Sequence, residues 1–169
     1  AVFALHVTSE LTPGNVSLGA GPHAAAADFF EIHVTGKGGH AAFPHTTVDT
    51  TLVSAHILIA LQSLVAREVD PLETAVVTVG AIHAGQAGNV IPQTATMTGT
   101  VRTYNPAIRD HIESRMQELA SSVAAGFRAA ITVGTAGRTT GIPSTHQAQG
   151  TGTHSGRTYV AGRRNLIRA

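Results

Sequence analysis

Residues 28–45 read DFFEIHVTGKGGHAAFPH, and the change of character in the middle of this stretch decides the fold. Phe30, Ile32 and Val34 alternate with Glu31, His33 and Thr35, the two-residue period of a strand with one buried face. The segment from Gly36 to His45 then breaks regular structure with three glycines and a proline. Thr46 with Asp49 three residues later has the form of a capping box and opens a helix. Val48, Leu52, Ala55 and Ile59 supply its apolar face, and the helix should stop before Asp70-Pro71.

Working outward, residues 74–82, TAVVTVGAI, are rich in β-branched residues and read as a buried strand. A loop containing Gly85 and Gly88 leads through Asn89 to Pro92, and residues 94–103, TATMTGTVRT, form a further strand. Asn105 as N-cap and Pro106 at the first helical position start a second helix. Its stripe is Ile108, Ile112, Met116, Leu119 and Val123, and Gly126 is a natural stop. A short last strand follows from Ala130 to Val133. The order β-α-β-β-α-β predicts an α+β fold of the ferredoxin-like type: a four-stranded antiparallel sheet with two helices on one face. An irregular N-terminal segment and a C-terminal tail flank it. The uncovered sheet face and the sheet edges are left for an added chain.

Composition agrees with one folded domain. The chain has 169 residues, 43% of them hydrophobic, but only 4% aromatic, so the core is built from Val, Ile, Leu and Ala. Charged residues make up 12% against a usual value of about 25%. Cysteine is absent, which excludes a disulfide scaffold, an iron–sulfur site and a cysteine nucleophile within these residues. No uninterrupted apolar run approaches the roughly 18 residues of a membrane span, and the N-terminus lacks a signal-like start. The expectation is a cytoplasmic chain with no membrane partner. All ten acidic residues fall between Glu10 and Glu118, whereas residues 135–169 carry five arginines and no acid. This Gly/Thr/Ser-rich tail has too little apolar content to order itself. Its charge suits only weak, salt-sensitive nucleic-acid binding, and no aromatic platform accompanies it; no nucleic-acid partner is expected.

Ten histidines invite a metal reading, yet none forms an H-E-x-x-H pair. His33 and His83 fall on strands, His56 and His111 on helices, and His146 and His154 in the tail. None of these six calls for a special role. His40, presented after three glycines, either sits incidentally in a tight turn or donates a hydrogen bond to a developing oxyanion. Asn89 is either a turn residue or a substrate contact. Arg102 points away from Met97, Gly99 and Val101, out of the open sheet face with Thr98 and Thr100. There it is either solvated or able to clamp a carboxylate with two parallel hydrogen bonds.

Taken together, FALHVTSELTPG, GKGGHAAFPHTTVDT and ALQSLVAREVDPLETAVVTVGAIHAGQAGNVIPQTATMTGTVRT resemble the zinc-type amidohydrolase and carboxypeptidase family. That family includes aminoacylase, hippurate hydrolase, indoleacetyl-amino-acid hydrolase and carboxypeptidase G. The resemblance runs from about residue 1 to about residue 133, in order, and implies three regions. Residues 1–27 are a remnant of a catalytic domain, residues 28–133 its ferredoxin-like lid and dimerisation domain, and residues 134–169 an irregular tail. It implies that His6 is a metal ligand and that His40 reaches into a partner subunit's active site to steady a tetrahedral intermediate. Asn89 and Arg102 are implied to contact the substrate, the arginine at its carboxylate.

The implied whole enzyme hydrolyses N-acyl amino acids with a pair of divalent ions, zinc or manganese, and forms a homodimer through its lid. The other metal ligands and the glutamate base of the family are missing from this sequence, so the chain alone is expected to bind no metal and to be inactive. After Val133 the family pattern stops, as in a truncated or out-of-frame product. The alternative is a stand-alone dimerisation or interaction module with no catalytic role.

Overall fold

A computed structural model describes residues 24–139 of the chain, together with residue 9, residues 11–15 and several short strands nearer the termini. The chain divides into two compact units, residues 24–141 and residues 1–23 with 142–169. The first holds β1 (Ala26–Thr35), α1 (Thr50–Glu68), β2 (Ala75–Ala84), β3 (Thr94–Thr103), α2 (Pro106–Gly126) and β4 (Ala130–Thr139). The strands form one antiparallel sheet in the order β2-β3-β1-β4. This is the ferredoxin-like α+β fold, and both helices pack on the same face. In the second unit, Gly21–Pro22 pairs with Pro143–Ser144, and Arg157–Ala161 pairs with both Thr151–His154 and Leu166–Arg168. These are segments whose composition suggested no regular structure.

The register between the two central strands is the spine of the sheet. β1 and β3 pair without interruption from Ala26↔Thr103 to Thr35↔Thr94. The alternation read from the sequence is realised here: Phe30, Ile32 and Val34 are buried on the helix side with Ala95, Met97 and Val101. Opposite Phe30 stands Gly99, and a Cβ there would collide with the Phe30 ring and with the Thr78 carbonyl oxygen. The missing side chain is what lets the one large aromatic of the core lie flat on the sheet.

α1 departs from expectation at its start and in its buried face. Its N-cap is Asp49, whose carboxylate accepts hydrogen bonds from the Thr51 and Leu52 amides at 2.9 and 3.1 Å. Thr46 belongs instead to a 3-10 turn over Pro44–Thr46, and its hydroxyl donates to the Phe43 carbonyl. The buried residues are Val53, Ile57, Leu61 and Leu64, whereas Leu52 and Ile59 are 48% and 68% exposed. Leu, Ile and Val surround this helix, so spacing alone selects no stripe; the packing against β2, β3 and β1 selects it. By length and composition α1 could cross a membrane. Its buried stripe against the sheet identifies it as a core helix.

α2 follows the sequence closely: the Asn105 side chain accepts from the Ala107 amide at 2.9 Å, and Pro106 occupies the first turn. Ile112, Met116, Ala120 and Ala124 are buried, with Ile108, Leu119 and Val123 packed beside them. The left-handed residue that turns the chain after the helix is Arg128 (φ 62°), not Gly126. β4 continues past Val133 to Thr139, because the first half of β1 also needs a partner on that side.

Two ion pairs fasten the helices. Asp28 and Arg109 form a paired fork where α2 meets the start of β1, both side chains 12% exposed. The Asp28 carboxylate holds the Arg109 guanidinium above its ordinary pKa, against the opposing effect of burial. At the far end of α1, Arg115 donates to both oxygens of Glu68, at 2.7 and 3.1 Å, and also contacts Glu118. The Arg115 hydrogen bonds lower the Glu68 pKa below its ordinary 4.5, with burial opposing and His111 adding a smaller attraction.

Substitution tests the cap and the ion pair. Asp49→Ala should lower unfolding stability by about 1 kcal/mol, whereas Thr46→Ala should change it by less than about 0.5 kcal/mol, both read from denaturant midpoints. Because Glu68 titrates lower when folded, its contribution is complete above its ordinary pKa and vanishes as pH falls through the folded value. Glu68→Gln should therefore flatten the loss of stability on acidification below about pH 4.5.

Candidate functional site

Beyond the Thr35 and Thr94 ends of β1 and β3, the pairing of the two segments does not stop. The Gly36 amide donates to the Gln93 carbonyl at 2.9 Å, and a two-residue ladder then pairs Gly39 with Ile91 and His40 with Val90. The Ala41 amide donates to the Asn89 carbonyl at 3.0 Å. His40 and Asn89, two residues singled out from different loops, thus lie side by side on an extension of the sheet.

Several contacts hold this extension against the entry to α1. Lys37 and Val48 exchange backbone hydrogen bonds of 3.1 and 2.9 Å. Gly36 is required because a Cβ there would strike the Val48 carbonyl oxygen. The buried Thr50 hydroxyl donates to the Pro92 carbonyl at 3.0 Å, tying the first turn of α1 to the loop that carries Asn89. The glycines before His40 therefore serve close approach of backbone to backbone; their φ angles are not left-handed.

His40 is exposed at the tip. Its Nδ1 accepts a hydrogen bond from the Ala42 amide at 3.1 Å, and its ring lies 5.7 Å from that of Phe43, which in turn meets His45 edge-on at 6.3 Å. Phe43 was not singled out from the sequence. The signal was an apolar aromatic three residues after the histidine, in a loop that has no core to bury it.

Arg102 occupies the opposite end of β3. It is exposed on the face opposite the helices, in register with Ala27 and Val76. From Thr94 to Arg102 the strand advances eight residues, about 26 Å at roughly 3.3 Å per residue. The structure brings His40 to Asn89 and leaves Arg102 far from both. His6 lies outside the described residues.

Three of the other described histidines have structural partners. His33 lies 3.2 Å from the Thr96 hydroxyl and 3.4 Å from Glu31, His56 packs on Phe127 at 4.7 Å, and His111 lies 3.4 Å from Glu68. Among the described residues no group of three or more His, Cys, Asp or Glu side chains could hold a metal ion.

The sequence that builds this sheet, with an exposed imidazole at one end and a guanidinium at the other, also matches a known family. Residues 26–128 match the peptidase dimerisation domain. The chain belongs to that family. The chain is 39% identical over 127 residues to N-acetyl-L-cysteine deacetylase of Bacillus subtilis, covering 75% of this chain and 30% of that protein. It is 42% identical over 119 residues to an IAA-amino acid hydrolase of Arabidopsis thaliana, covering 70% and 27%. Among solved structures it resembles a dinuclear metal-binding peptidase of the M20 family from Bacillus subtilis, with a TM-score of 0.54 and 30% identity over 70% of this chain and 28% of the other. The chain spans under a third of the length of these relatives.

If the Gly36–Val48 approach fixes the tip, Gly36→Ala should release it without unfolding the sheet. Hydrogen exchange should then lose protection at the Ala41 and Val48 amides, while the amides of Ile32 and Met97 keep theirs.

Proposed function

We propose that this chain supplies the dimerisation domain of a metal-dependent amidohydrolase acting on N-acyl amino acids. One observation carries the reading: the separation of His40 and Asn89 from Arg102 along β3. All three are exposed polar groups of the kind that recognises an amide and a carboxylate, yet no small substrate can touch both ends of the strand. Two copies of the domain resolve this. His40 and Asn89 of one chain enter one active site, and Arg102 of that same chain serves the other.

The surface available for pairing fits a second copy. β2 is an edge strand with one unpaired side, and Val76, Ile82 and Leu72 are exposed on or beside it. Leu52 and Ile59 add apolar surface on α1, which packs on the same strand. An exposed edge with apolar neighbours is a template for strand addition.

Each group then has a defined task. The imidazole of His40 donates a hydrogen bond to the oxygen that becomes negative when the amide carbon turns tetrahedral. Asn89 offers its side-chain amide beside it, and the Arg102 fork binds the carboxylate of the amino acid. The residues described here do not make a metal site, since a useful site needs several converging ligands. A pair of divalent ions, zinc or manganese, would polarise the amide and activate a water when bound in the whole enzyme.

The purified 169-residue chain should sediment as a dimer and should not turn over N-acetyl or N-benzoyl amino acids with zinc or manganese added. Residues 24–139 should be exchanged into the Bacillus subtilis N-acetyl-L-cysteine deacetylase in place of its matching segment. In that hybrid His40→Ala should lower kcat by about 100- to 1,000-fold, while Arg102→Ala should act mainly through KM. A monomeric chain, or an active His40→Ala hybrid, contradicts the proposal. A stable dimer whose hybrid has no activity favours a binding module without a catalytic role.

A further inference from the structure

We infer that the turn from His40 to Phe43 is a positioning device that holds the His40 ring as the Nε2–H tautomer, with Phe43 as its positioning residue. The inference rests on the reading of His40 as a hydrogen-bond donor and goes one step further, to the atom that donates.

Three successive amides in this turn are committed. That of Ala41 donates to the Asn89 carbonyl at 3.0 Å, and that of Phe43 donates to the His40 carbonyl at 2.9 Å, closing the turn. Between them, the Ala42 amide donates to His40 Nδ1 at 3.1 Å. A backbone N–H can only donate, so Nδ1 must offer its lone pair. In a neutral imidazole the remaining nitrogen then carries the hydrogen. Nε2–H is the nitrogen farther from the backbone, and it points its hydrogen away from the turn.

Phe43 completes the arrangement from the side. Its ring, 56% exposed, makes no contribution to the core cluster; it lies tilted against His40 and edge-on to His45. An exposed phenyl group held between two imidazoles restricts rotation of the His40 ring about its side-chain bonds, and a flipped ring would lose the Ala42 hydrogen bond. The turn thus presents a donor without needing a charged ring, which suits stabilisation of a developing oxyanion and excludes Nε2 from acting as a base in its resting form.

The test reads the tautomer directly, in the full chain and without substrate. Two-bond nitrogen–proton correlation NMR of the 15N-labelled 169-residue protein, at a pH where the ring is neutral, should give the Nε2–H pattern for His40. Phe43→Ala should convert that pattern to an exchange average, and Phe43→Tyr should restore the single form. An Nδ1–H ring in the unaltered protein overturns the inference, as does an unchanged Nε2–H pattern in Phe43→Ala. The outcome is independent of catalysis: an Nε2–H ring in the chain, together with full activity of a His40→Ala hybrid, would leave this inference standing and remove the functional one.

Discussion

The unbroken antiparallel register of β1 on β3 is the constraint on which the rest depends. It aligns the alternation in residues 28–35 with that in residues 94–103, so that Ile32 faces Met97 on the helix side while His33 and Thr96 face the other. A slip by one residue would turn every apolar side chain to solvent. Gly99 opposite Phe30 marks the register sterically, because the ring has room only there. The same register fixes what leaves the two ends of the sheet. One end becomes the ladder that carries His40 and Asn89, and the other presents Arg102.

Much of this was legible from pattern, because strands with one buried face write a two-residue period into the chain. β3 spans the residues its pattern predicts, and the N-terminal cap of α2 follows directly from Asn105 and Pro106. α1 was less legible for a physical reason. Its apolar residues surround the axis, and two candidate caps, Thr46 and Asp49, stand three residues apart. Which one caps the helix goes with the Lys37–Val48 bridge, a backbone contact that hydropathy spacing does not encode. The candidate residues are legible as types on loops and strands; their grouping in space is not. Spacing along the sequence places Asn89 nearer to Arg102 than to His40, whereas the ladder places it beside His40.

Polar groups hold the helices where the apolar stripe leaves them free to slide. Asp28 and Arg109 are both largely removed from water, so losing either partner would strand a charge, a change on the order of 3–5 kcal/mol. Their location at the Arg102 end of the sheet is consequential. Ala27, which pairs with Arg102, is the immediate neighbour of Asp28, so the backbone beneath the exposed guanidinium is anchored to α2. The Glu68–Arg115 pair is more exposed and contributes less to holding the helices.

Exposure of His40 and Arg102 would be a weakness if the domain worked alone, since water competes for every hydrogen bond they make. A donor in bulk solvent gains little from a developing negative charge. The same donor in a closed, drier site gains much more, because the lower dielectric strengthens the interaction and the group has already been oriented. The division of labour follows from this. The domain contributes rigid presentation, through a ladder that continues the sheet at one end and an anchored strand at the other. Under the proposed function, the low-dielectric surroundings would come from the rest of the enzyme. With Nδ1 of His40 already accepting from the Ala42 amide on a strand extension, the donor proposed for this ring would have its direction set before any substrate arrives.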